Sequence, residues 1–443
     1  MKNMLPVLLC TLQCSLLSAQ NWTPMATGLL PDSVVIFSIS AVGSDVVWAI
    51  ASGEYYQAPI PVAHRPWVLR SADGGLTWNV ADVKEAAGTI SFQIVAEDSL
   101  TAWITTQDYG GGAGRALFKT VNGGATWTKI LTNASCGVAL YRYADGQHWL
   151  AHNRQSFSAS TDNGANWTNG SFSGYNTNEF QILYSSTNLS NTMGDTVWSG
   201  TSNGRMIRLT NYGQNVEFFN TPLGSSTTIS SVAFQDHLNG LCFSRNISDN
   251  NRIARSTNGG ASWTVLGQQP GTTTGWNIAA VPGAPGVYLL ASNFNYAIGK
   301  VALTTNFGES WSVQILNESL NAVQFTSPTS GWVGGGRILH SKTQPALFKY
   351  TGSPLVGVDS EPATLGGFFV SPNPAADRLR FGFDGYAEAK TVRATLTDAQ
   401  GRQVLVSETV RMGMLDIGHL PAGWYVLTVQ TEKGMAAQKV LID

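Results

Sequence analysis

Three groups of residues in this chain have types and spacings that could do chemistry. The first is a recurring acid or amide: Asp73, Asn122, Asp162, Asn211, Asn258 and Asn306 stand 49, 40, 49, 47 and 48 residues apart. Carboxylates repeated in glycine-rich turns would suit Ca²⁺, a hard cation that takes oxygen ligands. The second is Glu54, Asp108 and Asp249, acids in loop-like segments. Glycosidic-bond hydrolysis would need two such carboxyls facing each other at about 5–9 Å. The third is Arg65, Arg115 and Arg154, which would surround a substrate carboxylate with positive charge. Tyr55, Tyr56, His64, Tyr109 and His152 lie beside these groups and complete a candidate ligand face, since Tyr and Arg serve well as buried anchors in recognition.

The repeated group decides the architecture. Its members sit in five copies of one pattern: SADGGLTW at 71–78, TVNGGATW at 120–127, STDNGANW at 160–167, STNGGASW at 256–263 and TTNFGESW at 304–311. A worn sixth copy, LTNYGQNV, falls at 209–216. Three of the five clear copies carry Asn in place of Asp, which argues for a turn rather than a metal site. The Asp or Asn side chain can accept backbone N–H groups across the turn. The glycines, such as Gly75 and Gly164, allow backbone angles that a Cβ resists. The indoles of Trp78, Trp127, Trp167, Trp263 and Trp311 can bury a large surface between neighbouring sheets. No metal or cofactor is expected.

A period of this length is that of one propeller blade. Each repeat reads as four short antiparallel strands, in the first repeat SVVIFSISAV, DVVWAIAS, PWVLRSA and LTWNVAD. Runs rich in Val, Ile, Thr and Trp between Gly, Asp and Asn turns support that reading. After Trp311 the segment 320–350 has the same texture without a box, while Asn21-Trp22-Thr23 resembles the strand that follows a box. A seventh blade made from both would close the ring and leave no sheet edge at the seam. The expected fold is all-β, a seven-bladed propeller followed by a small antiparallel β-sandwich, with six to eight blades as the range.

The boxes resemble those of the Asp-box, or BNR-like, propellers found in sialidases, sortilin-type receptors, certain glucan hydrolases and the photosystem II stability factor family. The resemblance covers about 21–350 and implies that the box is structural and lies away from any active face. Box turns join third to fourth strands, so a ligand would use the opposite face, where the longer insertions GEYYQAPIPVAHR and QDYGGGAGR emerge. The FRIP-like segment that a sialidase resemblance would place before the first box is absent from the sequence. Three function classes follow: binding of an extracellular protein or glycan, glycoside hydrolysis, and a non-catalytic envelope assembly role. Catalytic grammar is missing, which favours binding.

The ends of the chain carry addresses. Lys2, the apolar run MLPVLLCTLQCSLL and the small pair Ser18-Ala19 read as a signal peptide over 1–19. No later stretch is long and apolar enough to span a membrane as a helix. Cys136 and Cys242 then remain, expected as two separate thiols because non-neighbouring blades rarely bring Cα atoms within about 7 Å. A formal net charge of −2 and no dense run of Lys and Arg exclude a nucleic-acid footprint.

Composition changes after Tyr350. Residues 351–367 read as a polar linker, and 368–443 as the sandwich, with turns at Pro372-Asn373-Pro374, Asp398–Gly401 and Pro421–Gly423. SPNPAADRLR, LTDAQGRQVL, LDIGHLPAGWYVLTV and KVLI resemble the type A C-terminal sorting domain of the Bacteroidota type IX secretion system. The resemblance implies export across the outer membrane, with the type IX machinery as partner, and release from or attachment to the cell surface. It places recognition on Pro372, Asn373, Pro374, Gly401, Leu420, Gly423 and Tyr425. The alternative is that these are sandwich turns read by the apparatus as folded shape.

Overall fold

The computed structural model describes residues 21–31, 34–53, 65–108, 114–132, 139–181, 190–225, 227–245, 252–268, 275–292, 299–316, 318–339, 342–357, 365–384, 386, 389, 392–398, 403–408, 413–431 and 434–443. The signal segment, Cys136, Glu54 and Asp249 lie outside these residues. The chain divides into two compact units, 1–358 and 359–443.

The first unit is built from seven four-stranded antiparallel sheets. In six of them the strand order follows the sequence, each strand pairing with the next, from blade one at 34–82 to blade six at 275–315. Blade seven takes three strands from 320–350 and its outer strand from Trp22–Met25. That strand pairs with the last one in register, Trp22 opposite Tyr350 and Met25 opposite Leu347. Trp22 is buried and meets Tyr350 and Phe325 edge-on at ring distances of 5.4 and 6.1 Å. Residues 351–357, expected as linker, continue this packing. Leu355 is buried between blades six and seven, and its N–H donates to the Pro328 carbonyl.

Seven apolar clusters fill the seven seams. Trp48, Ile94 and Phe118 join blade one to two, and Trp103 and Trp149 join two to three. Tyr141 and Ile207 join three to four; Trp198 and Phe234 join four to five. Phe243 and Tyr288, then Leu289 and Val323, then Trp332 and Ile39 complete the circuit back to blade one. A blade buried on both faces has no reason to alternate apolar and polar residues strictly, which accounts for the loose patterning of the inner strands.

The box turn is the connector at these seams. Ser71 Oγ accepts the Gly75 N–H at 2.8 Å and donates to Asp73 Oδ1 at 2.7 Å, while Thr77 N–H donates to the same Oδ1 at 2.9 Å. Thr120, Ser160, Ser256 and Thr304 repeat the hydroxyl's part in their own boxes. Asn replaces Asp without loss because in four of the five clear boxes the second side-chain atom faces a hydroxyl; in the other, Asp162 Oδ2 accepts from the Asn166 amide at 2.6 Å. Asn122 Nδ2 donates to Thr126 Oγ1 at 2.8 Å, whereas Asp73 Oδ2 accepts from Thr77 Oγ1. A hydroxyl rotates to suit either partner.

The last glycine of the box lies against an aromatic ring of the preceding blade in four of the five clear copies, and against Leu241 and Leu266 at Gly308. A Cβ at Gly164 would stand 2.3 Å from the Trp103 indole, and one at Gly75 2.8 Å from that of Trp332. The box indole then folds back and donates to that glycine's carbonyl, Trp78 to Gly75 and Trp167 to Gly164, both at 3.0 Å. It meets the same ring edge-on, Trp78 against Trp332 at 6.0 Å and Trp167 against Trp103 at 6.4 Å. The worn copy in blade four has Leu209 and Val216 where the others have a hydroxyl and a Trp. There Tyr212 stacks on His148 of blade three at 3.9 Å instead.

Axial strands show a second regularity. Five of the seven carry a β-bulge near their first residues, between Ile36 and Ser38, Ser91 and Gln93, Ile229 and Ser231, Gly275 and Asn277, and Leu320 and Ala322. The residue after the bulge reaches the next blade. Ser38 Oγ accepts Ile94 N–H at 3.1 Å, Gln93 Oε1 accepts Leu140 N–H at 2.7 Å, and Ser231 Oγ accepts Ile278 N–H at 3.0 Å.

The second unit is a sandwich of a three-stranded and a four-stranded antiparallel sheet. Leu379, Leu396, Ile417, Leu427, Val429 and Val440 form its core.

The glycine contact is testable. Gly164 and Gly28 both have positive φ, +80° and +73°, but nothing lies within 4 Å of a Cβ at Gly28. Gly28→Ala should cost only the backbone penalty, about 1 kcal/mol. Gly164→Ala should cost about 2–4 kcal/mol, because overpacking against Trp103 adds to it. Urea unfolding of the two variants reads the difference, and equal losses would contradict the contact.

Candidate functional site

In the boxes the acids are engaged by the turn itself. Both oxygens of Asp73 are engaged by Ser71 and Thr77, and these bonds, chiefly from Thr77, hold its carboxyl down at about 2. Asp162 is held low in the same way, chiefly by Asn166. Among the described residues no group of three or more His, Cys, Asp or Glu is placed to hold a metal ion.

On the opposite face, Tyr55, Tyr56, His64 and Tyr109 fall outside the described residues. The other five sequence candidates have definite places on three different blades. Arg65 begins the third strand region of blade one and pairs with Asp82 of the same blade, Nη1 to Oδ2 at 2.7 Å. Asp108 ends the second strand of blade two and is exposed; Arg115 opens the third strand and is half-buried. Arg154 sits in the turn of blade three at φ +55°, its guanidinium 4.7 Å from the centre of Phe180. Its carbonyl accepts the Tyr175 hydroxyl at 3.1 Å. Arg65 and Arg154 are thus held by local partners rather than gathered round one point.

His152 is fully buried. Its Nε2 is 2.5 Å from the Tyr141 hydroxyl, the two rings stack at 5.0 Å, and Gln181 Nε2 donates to that hydroxyl at 3.4 Å. Among the described residues neither His152 Nδ1 nor Gln181 Oε1 has a hydrogen-bond partner. Burial holds the imidazole neutral, down at about 3. Next to this group lies an acid that sequence reading passed over. Glu179 is buried and takes Arg205 Nε on Oε1 at 2.9 Å, Arg205 Nη2 on Oε2, and the Asn176 N–H at 2.8 Å. Phe218 lies 4.3 Å beneath the guanidinium. These bonds to Arg205 and Asn176 outweigh burial and hold the Glu179 carboxyl low. A carboxylate saturated by one arginine is a clamp for the 172–181 segment, not a free acid. Cys242 is a free thiol, fully buried, and burial pushes its ionisation up.

In the second unit the motif residues face the fold itself. Asn373 Oδ1 accepts the Leu441 N–H and its Nδ2 donates to the Lys439 carbonyl, both at 2.9 Å, so the amide caps the free edge of the last strand. Ala375 continues the pairing with Leu441 and Asp443. Pro372 and Pro374, on either side of Asn373, are exposed. The buried Tyr425 donates its hydroxyl to the Pro421 carbonyl at 2.8 Å, a tyrosine-corner arrangement that ties the turn around Gly423 to its strand. Leu420 packs against the core; Gly401 lies outside the described residues.

Comparison with known proteins now has a geometry to meet. Residues 370–443 match the secretion system C-terminal sorting domain family. No curated protein matches the chain. Among solved structures, "YCF48 bound to D1 peptide" is similar with a TM-score of 0.52 and 15% identity, over 76% of this chain and 99% of that one. "YCF48 from Cyanidioschyzon merolae" gives 0.53 and 12%, over 75% and 99%. The GH74 enzyme of Niastella koreensis gives 0.43 and 10%, over 91% and 83%. At these identities the likeness is one of fold. The chain is therefore a β-propeller protein carrying a type IX sorting domain, secreted or displayed on the cell surface, and its C-terminal unit is what the secretion machinery engages. No described helix is long and apolar enough to cross a membrane.

The buried imidazole predicts a pH dependence. Above about pH 6.5 His152 is neutral folded or unfolded and contributes no slope. As pH falls below that value the unfolded chain takes up a proton that the folded protein refuses, at about 1.4 kcal/mol per pH unit. Between pH 7 and pH 5 the native protein should lose about 2 kcal/mol more stability than His152→Gln does. Parallel urea-unfolding curves at the two pH values would show that the ring is not excluded from water.

Proposed function

We infer that this is an extracellular binding protein: a rigid propeller, delivered to the cell surface or medium by its sorting domain, that recognises a protein or glycan on the face opposite the boxes. The observation that carries the reading is the state of the charges there. Arg65, Glu179 and Arg205 are engaged within the ring, and the buried imidazole of His152 is held neutral by its surroundings. Loops on a rigid scaffold are the usual seat of recognition. The Asp-box family and a Bacteroidota source belong to the same proposal, supported by the box geometry and the tail. So do a cleaved signal over 1–19, a propeller over 20–350, a linker over 351–367 and a sorting domain over 368–443.

Two measurements test this. In its own host, the full chain should reach the medium or outer surface, while a chain ending at Gly366 should stay in the periplasm; equal delivery would contradict the role of the tail. The purified full chain should bind its partner reversibly and release no new reducing ends from any glycan it holds. Steady release of reducing ends, abolished by Asp108→Asn, would replace binding by hydrolysis.

A further inference from the structure

The second unit has a sheet face that its own fold leaves uncovered. In the four-stranded sheet, Gly423–Thr431 lies between Val392–Asp398 and Gly434–Ile442, and Gln403–Glu408 flanks Val392–Asp398. Residues such as Leu396, Leu427 and Val440 point into the core. Alternate residues of each strand stand on the other side of the sheet. One row there runs Val406, Thr395, Thr428, and the next runs Thr397, Val426, Lys439. Trp424 follows Val426 two residues away on the same strand. Outward positions of an antiparallel sheet are ordinarily polar, and the threonines meet that expectation. Trp424, Val426 and Val406 do not: they are 50%, 42% and 45% exposed. Four large apolar side chains are exposed among the described residues of this unit, and three of them share this face. The fourth, Phe369, belongs to the other sheet and lies over Gly382.

The patch is apolar with one charge beside it. Lys439 Nζ lies 4.1 Å from the centre of the Trp424 ring, a cation–π contact. No acid stands in these rows; the next charged positions, Arg393 and Glu408, are opposite each other one row beyond Val406. A partner that covered Trp424 would also take Lys439 out of water, which is costly unless the partner brings a carboxylate. Contiguous apolar patches rimmed by polar groups mark protein contacts, and Trp is favoured among their anchors. The occupant follows from the unit itself. All four strands fall within 370–443, the span that matches the sorting domain family. The motif residues of that span are spent on the fold: Asn373 caps the last strand, Tyr425 ties its turn and Leu420 packs inward. A machine that engages this unit reads what those residues leave on display.

We propose that the face carrying Trp424, Val426 and Val406 is the surface by which the type IX machinery takes hold of this chain, through an apolar counter-surface that brings a carboxylate to Lys439. This rests on the sorting role of the second unit and names its interface. The test is delivery of full-chain variants in the protein's own host, read as the ratio of chain in the medium and on the outer surface to chain in the periplasm. Trp424→Thr and Val426→Thr introduce a residue that suits a strand. Each should lower the ratio about tenfold, the loss of one interface anchor, and the double variant should lower it further. Lys439→Glu should also lower it, whereas Phe369→Thr on the other sheet should leave it unchanged. Normal delivery of the double variant would overturn the face while retention of the chain ending at Gly366 upholds the sorting role. Delivery of that shortened chain would remove the sorting role itself. Equal loss in Phe369→Thr would overturn the face as well. Hydrogen exchange on the purified full-length variants should show Gly423–Thr431 protected as in wild type; delivery lost only together with that protection would mean that Trp424 and Val426 serve the fold. A wild-type dimer that Trp424→Thr dissolves with delivery unchanged would give the face to a second copy of the chain and overturn the proposal.

Discussion

Closure of the ring is the constraint on which everything else depends. Seven sheets that pack face to face bury both surfaces of every blade only if the last meets the first. The four residues Trp22–Met25 complete blade seven and remove the free strand edge that would otherwise sit at the seam. With the circuit closed, each box glycine has an indole or other apolar side chain of the preceding blade to lie on. An open stack would leave Trp332, Trp22 and the Ile36–Ile39 surface in water, a loss far larger than any single hydrogen bond at the seam.

That constraint also explains why the residues with the most suggestive spacing do no chemistry. The box acids and amides recur because each blade needs the same turn at the same seam. Asp and Asn are equivalent in it because the partner across the turn, a serine or threonine hydroxyl in all but the Asp162 box, suits whichever atom it meets. The regular spacing that first suggests a cation site is a record of blade length. Charges on the far side are absorbed similarly: Glu179 by Arg205, and Arg65 by Asp82. Reactive potential in this scaffold therefore belongs to what the ring leaves over.

Much of the fold was legible because it repeats. The box, the indole that ends it and the missing fourth strand of blade seven could be counted along the chain, and the short SPNP and LPAGWY stretches marked the second unit. The opening Ser or Thr of the box was present in every clear copy, yet its part in closing the turn shows only in three dimensions. The Asn373 clamp joins residues more than sixty apart, which no local pattern announces. The bulges left a faint trace, an aromatic followed by an uncharged polar residue in IFS, SFQ and GWN. Phe37 reads as an ordinary core residue until the register against the second strand shows one residue too many.

Native-state hydrogen exchange on the full chain tests closure most directly. The amides of Lys342–Tyr350 that face Trp22–Met25 should be protected as strongly as those inside blades one and six, and should open with them in one cooperative step. Free exchange at those amides, while the other blades stay protected, would mean that the seam is open and the ring is not a ring.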